Sequence, residues 1–192
     1  MVCVLKNIYP DYYRVVIGYR KEEICVNKTK NLTITGIMAA LITIMTAYIC
    51  HVPVGVNGGY IHFGDSLIYL AAAMLPRRYA LAAAAIGGGM ADLLTAPMWI
   101  PATVVIKMLL VLPFTNKETR IITWRNIIAA ILAYFISTVG YFVAEYFLFG
   151  SWSVLLVSMT QSLIQSGGST IVFFMLGVAF DKALIKQRFL YP

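Results

Sequence analysis

Six apolar runs divide this sequence, at about 32–50, 66–76, 79–94, 101–114, 126–149 and 154–180, and the cations stay almost wholly outside them. A helix needs roughly 20 residues to cross a bilayer, with about 17 as the practical minimum. The first, fifth and sixth runs reach that length. The second and fourth are short, so they must recruit flanking residues, tilt, or thin the bilayer. With six spans and both ends on one side, that side receives residues 1–31, 76–79, 115–126 and 181–192. These segments hold 14 of the 15 Lys and Arg residues, among them Arg77, Arg78, Lys117, Arg120, Lys182 and Lys186. The remaining one, Lys107, lies inside a run, and the three opposite loops carry none. Membrane helices orient with such basic segments in the cytoplasm. The pattern predicts an all-α integral membrane bundle of six short transmembrane helices with cytoplasmic N and C termini. A basic tail (1–31), a six-helix domain (32–180) and a second basic tail (181–192) make up the chain.

Composition supports the same class. Hydrophobic residues are 60% of 192 positions and charged residues 12%, with a mean hydropathy of +0.81. Soluble domains run at roughly 45–50% apolar and about 25% charged, so lipid must solvate much of this surface. The net charge of +7 has no clustered face of the kind nucleic acid requires. Cys3, Cys25 and Cys50 are far apart, with no CxxC spacing and no His pair, so neither a metal site nor a disulfide framework is expected. Residues 1–31 lack the apolar stretch that follows the basic start of a cleavable leader, and read as a cytoplasmic tail.

Pro76-Arg77-Arg78 and Asn116-Lys117-Glu118-Thr119 mark two tight inner turns. The outer loops run His51 to His62, Thr95 to Pro101, and around Gly150-Ser151-Trp152-Ser153. Small residues recur at helical spacing. The first run has Ala39, Thr43 and Ala47, with Gly36 and Ala40 on an adjoining stripe; the third has Ala80, Ala84 and Gly88 beside Ala83, Gly87 and Ala91. Such stripes let helix backbones approach closely in lipid. They serve internal packing or, on the first run, a partner protein.

Charge within a bilayer is costly and faces a cavity or a partner. Asp65, Asp92, Lys107 and Glu145 stand out. A hairpin through Pro97–Pro101 brings Asp92 and Lys107 toward each other, as a structural ion pair or as ligand contacts. Asp65 follows Gly59-Tyr60-Ile61-His62-Phe63-Gly64 where the first outer loop re-enters the membrane. There Tyr60, His62, Asp65 and Ser66 offer donors and acceptors beside glycines that admit a ligand; Asp65 or Ser66 also suits a helix N-cap. Gln161 and Gln165 share one helical face and suit either interhelical bonding or a ligand. Trp99, Trp152, Tyr48, Tyr60 and Tyr146 gather toward the outer surface, as an interfacial belt or a stacking pocket for a flat ring. No GxxxxGK[ST] loop, HExxH or GxSxG is present, so no catalysis, metal or cofactor is expected of this chain.

The string from Gly59-Tyr60-Ile61-His62-Phe63-Gly64-Asp65 to Leu75-Pro76, with Ala85-Ile86-Gly87, Ala91-Asp92-Leu93-Leu94 and Ile106-Lys107, resembles the substrate-binding (S) components of energy-coupling factor (ECF) transporters, in their riboflavin and hydroxymethylpyrimidine-like branch. The resemblance covers about 32–180. It implies a multi-pass protein of a prokaryotic plasma membrane that captures a small heteroaromatic vitamin, precursor or modified base near the outer face. It also implies partners: a transmembrane coupling subunit and two ATPases. The family's Ala-x-x-x-Ala docking pattern is matched in part by Ala39-x-x-x-Thr43-x-x-x-Ala47. The ligand is expected to meet the 51–66 loop, Trp99, Trp152 and the upper parts of the last two helices. A standalone secondary transporter using Asp92, Lys107 and Glu145 is the alternative.

Overall fold

A computed structural model of the chain describes residues 10–49, 52–53, 60–150 and 154–186, with side chains from Lys28 onward except at 52–53, 60–61 and 154–158. Among these residues there are six helices: α1 (Pro10–Ala47), α2 (Asp65–Met74), α3 (Arg77–Thr95), α4 (Ile100–Val111), α5 (Trp124–Phe149) and α6 (Val154–Lys182). A single 3-10 turn, Pro97–Trp99, precedes α4. The one non-helical pairing is a two-residue antiparallel ladder, β1 (Val52–Pro53) with β2 (Tyr60–Ile61). The expected all-α class thus holds apart from this small ladder between α1 and α2.

The chain divides into two compact units, Met1–Ile34 and Thr35–Pro192. In the first, α1 begins at Pro10, well before the apolar run, and Thr33 Oγ1 donates to the Thr29 carbonyl one turn back at 3.0 Å. The second holds the bundle. By length and composition, Lys28–Ala47, Trp124–Phe149 and Met159–Lys182 can cross a membrane, and Asp65–Met74 and Pro97–Val111 are shorter apolar helices.

Local chemistry sets the ends of these elements. Leu75 precedes a proline and is pushed to extended backbone (φ −90, ψ 152), which stops α2 and lets α3 start at Arg77 directly after Pro76. Thr123 caps α5 by accepting from the Asn126 amide at 3.3 Å. Gly150 ends α5 at φ +66, a left-handed conformation that glycine adopts without steric cost.

Nine of the ten residues of α2 are buried, and it touches α3, α4 and α6. It is a central post rather than a lipid-facing span. Its Tyr69 stacks on Phe114 (centroids 5.0 Å, 19°) and meets Phe173 of α6 edge-on. By contrast α5 and α6 present Ile131, Phe135, Val139, Phe147, Ile171 and Met175 outward, all more than half exposed, a surface that only lipid can cover at low cost.

The small-residue stripe of α3 is spent on close packing. A Cβ built on Gly87 would lie 2.7 Å from the Ile42 Cβ of α1, and one on Gly88 would lie 2.9 Å from Lys107 Cγ of α4. The inner end is tied by side chains. Asn126 brackets the loop before α5, donating to the carbonyls of Thr115 (3.1 Å) and Ile121 (2.8 Å) and accepting from the Thr115 amide at 2.9 Å. Asp181 of α6 accepts from the amides of Ile121 and Ile122 at 2.7 and 3.0 Å.

Two outcomes are expected. Gly87→Ala should lower the melting temperature in detergent by several degrees, since overpacking costs about 1–3 kcal/mol and each is worth roughly 2–4 °C at this size. Gly167→Ala, whose added Cβ meets nothing within 4 Å, should leave it unchanged. Burial lowers the Lys186 ammonium to about 8, against the opposing pull of Asp181 and Glu118. Between there and its ordinary value the unfolded chain binds the extra proton. Stability should therefore rise with pH across that window, and Lys186→Met should flatten the rise in melts taken at several pH values.

Candidate functional site

The first turn of α2 carries the centre of the site. Asp65 is fully buried, and Lys107 of α4 is 1% exposed; their ion pair measures 2.5 Å between Nζ and Oδ1. Gln165 of α6 donates to the other carboxylate oxygen, Oδ2, at 2.9 Å. Three helices thus converge on one carboxylate, and both of its oxygens are engaged. The ring of Tyr141 on α5 lies 5.6 Å from the ammonium, within reach of a cation–π attraction.

This pairing corrects two expectations. Lys107 is tied to Asp65 across the bundle rather than to Asp92 on the adjoining hairpin arm. Lys107 lies two turns into α4, against Gly88, where the first turn of α2 presents its carboxylate. Nor does Asp65 or Ser66 cap α2. The cap position is Gly64, with no side-chain bond to the helix, and Ser66 Oγ donates backward to the Phe63 carbonyl at 2.7 Å.

The segment before α2 is held by its own residues. The buried imidazole of His62 accepts from the Gly64 amide at 3.0 Å through Nδ1, which puts its remaining hydrogen on Nε2. Gly64 is wedged against Thr46 of α1, and the Phe63 ring lies on Gly168 of α6; a Cβ at either glycine would collide. These glycines are close-approach positions, one for α1 and one for the loop.

Trp99 forms an aromatic wall nearby. It is 6% exposed and packs against Tyr141 (6.2 Å, 63°) and Phe149 (6.2 Å, 47°). Its indole Nε1 is buried without a hydrogen-bond partner, as are the hydroxyls of Ser137 and Ser169, whereas the Tyr69 and Ser166 hydroxyls lie within reach of each other. Ser137 is one turn from Tyr141 on α5, and Ser169 is one turn from Gln165 on α6. Unpartnered buried donors thus occur on α5, on α6 and on the turn before α4, a pattern that charge and amide residues alone do not reveal. Tyr69, Tyr141, Ser137 and Ser169 escaped sequence reasoning because each is an ordinary core or helix-packing type in isolation.

The remaining expected residues fall as follows. Asp92 and Glu145 are buried, at 2% and 6% exposure, and Asp92 lies within electrostatic reach of Tyr141. Gln161 is half-buried, one turn from Gln165. Tyr48 is 69% exposed and Tyr146 is also exposed, as an interfacial belt requires. The side chain of Tyr60 and all of Trp152 lie outside the described residues. Of the stripe on α1, Ala39 and Ala47 are buried, and Thr43 Oγ1 bonds the Gly87 carbonyl of α3 at 3.1 Å; Gly36 and Ala40 are exposed. The Ala39–Thr43–Ala47 face is thus turned into the bundle. No group of three or more metal-ligating side chains occurs among the described residues.

Residues 26–182 match the family model described as ECF-type riboflavin transporter, S component. An "uncharacterized protein in gap 3'region" of Pyrococcus woesei is 24% identical over 139 residues, covering 65% of this chain and 88% of that protein.

Removing one partner of a buried ion pair costs about 3–5 kcal/mol, whereas replacing both is far cheaper. Lys107→Met should therefore lower the melting temperature sharply, and adding Asp65→Asn should recover much of the loss. A double variant that melts at the sum of the two single losses would show that the pair is not coupled.

Proposed function

The chain belongs to the family of ECF-type riboflavin transporter S components, and from that premise we propose that it captures a flat heteroaromatic vitamin, riboflavin being the first candidate, on the outer side of the membrane. An S component is a transporter's binding part and not an enzyme. The basic segments then lie in the cytoplasm, with six spans between them. The substrate is delivered inward by a coupling subunit and two ATPases.

The observation that carries the reading is the unpartnered Trp99 indole packed against the Tyr141 and Phe149 rings. A planar ring system with several nitrogen and carbonyl acceptors satisfies orphaned indole and hydroxyl donors while its faces stack on aromatic walls. Both oxygens of Asp65 are already engaged, so its role is to position rather than to contact. It anchors the His62–Gly64 turn to α4 and α6, and the first outer loop closes over the ligand from that turn. His62, buried in that turn with its Nδ1 on the Gly64 amide, is the contact residue of this segment. For docking to the coupling subunit, the exposed Gly36 and Ala40, with Ile37, Leu41 and Ile44 beside them, fit better than the inward Ala39–Thr43–Ala47 face. The alternative of a standalone ion-coupled transporter is weakened because Lys107 is committed to Asp65.

The test begins with protein purified from native membranes, denatured, and its released small molecules identified by mass spectrometry. A stoichiometric flavin is expected. Thermal shifts with riboflavin, pyridoxine, hydroxymethylpyrimidine and purines should rank riboflavin first. Trp99→Ala should weaken its binding about tenfold, as loss of an aromatic stacking partner is worth roughly 1–3 kcal/mol, and His62→Ala should weaken it too, both with the fold intact. No released metabolite and no shift with any of these compounds would sink the capture reading.

A further inference from the structure

The basic end of the bundle holds a cavity that substrate capture does not use. It has a volume of about 400 Å³ and lies between the loop before α5 and the end of α6, with Arg120, Ile122, Val178, Asp181, Lys182 and Lys186 on its walls. Three of these are cations and one is an acid. Asp181 is already engaged, since both of its oxygens take backbone amides of the loop. Glu118 is also near enough to influence Lys186, and the balance on the walls stays positive.

Lys186 is the unusual member. It is 1% exposed, yet its ammonium can donate three hydrogen bonds and the Arg120 carbonyl takes one, at a long 3.5 Å. A buried ammonium with spare donors is costly unless something anionic meets it. The rim is of the opposite character: Val178 and Leu184 are 42% and 45% exposed, where the last span leaves the hydrocarbon.

We infer that this cavity binds the phosphate of an anionic phospholipid headgroup. Lys186 and Arg120 meet the phosphate oxygens, Lys182 adds to the local field, and the acyl chains run from the rim along Val178. A free phosphate ester would satisfy the cations but would leave the apolar rim uncovered, so the lipid is the better occupant. Bound there, the headgroup would bridge the loop before α5 to the end of α6, beside the Asp181 clamp.

The full chain, purified in neutral detergent, would be given equal amounts of phosphatidylglycerol and phosphatidylcholine and examined by native mass spectrometry. One phosphatidylglycerol should be retained in preference to phosphatidylcholine. Lys186→Met and Arg120→Gln should each cut the retained fraction about fivefold, the equivalent of roughly 1 kcal/mol per basic side chain. Melting curves of both variants check folding, and Arg120, being exposed, gives a variant whose fold does not depend on it. Equal retention of the two lipids, or unchanged retention in both variants, would overturn the inference. So would glycerol 1-phosphate displacing the lipid at equal concentration, which would assign the cavity to a soluble phosphate ester.

Discussion

A carboxylate with no solvent around it has to be met by a full set of donors, and in this bundle that demand falls on Asp65. Lys107 and Gln165 supply it from α4 and α6, 42 and 100 residues away along the chain. Because neither donor can be lost cheaply, the requirement fixes the depth of α2 relative to both neighbours. Everything at this end of the bundle inherits that depth: the His62–Gly64 turn, the Phe63 ring on Gly168, and the Tyr141 ring beside the ammonium. Buried ionic groups are poor evidence for stability as such, but they discriminate sharply between one registry and another, and here the registry is what positions the aromatic wall.

Close backbone approach is the second constraint. Lipid offers no hydrophobic force to press helices together, so contact must come from packing. Gly87 admits Ile42, Gly88 admits the Lys107 stem, and Gly140 admits Ile106. The Gly88 contact links the two constraints, because a larger residue there would displace the cation that Asp65 requires. The Thr43 hydroxyl, bonded to the Gly87 carbonyl, belongs to the same arrangement.

Much of the architecture was legible in the sequence. The last five apolar runs fall within a few residues of α2 to α6, and Leu75-Pro76 marks the α2–α3 break because a residue before proline leaves helical backbone. Periodicity identified Gln165 and the Ala39–Thr43–Ala47 face as special, but not what they touch. Hairpin proximity pointed from Lys107 toward Asp92, and the pairing with Asp65 shows only in the tertiary arrangement, which brings the start of α2 to the ammonium. The start of α1 at Pro10 was also hidden, since the charges of residues 14–30 mask helical continuity when apolar runs are the guide. The buried hydroxyls carried no signal of their own: serines and tyrosines in apolar helices are indistinguishable from packing residues until their neighbours are known.

The short, almost wholly enclosed α2 has a consequence for how the chain is made. At 10 residues it is about 15 Å long, and with an acid at its start it is a poor candidate for independent insertion as it emerges from the ribosome. One donor to that acid arrives with α4, and the other only when α6 has been synthesised. Until then the nascent protein holds an incompletely compensated charge beside lipid. Assembly of the outer half must therefore wait for nearly the last helix, and a chain interrupted before Gln165 would be recognisable to membrane quality control as unfinished.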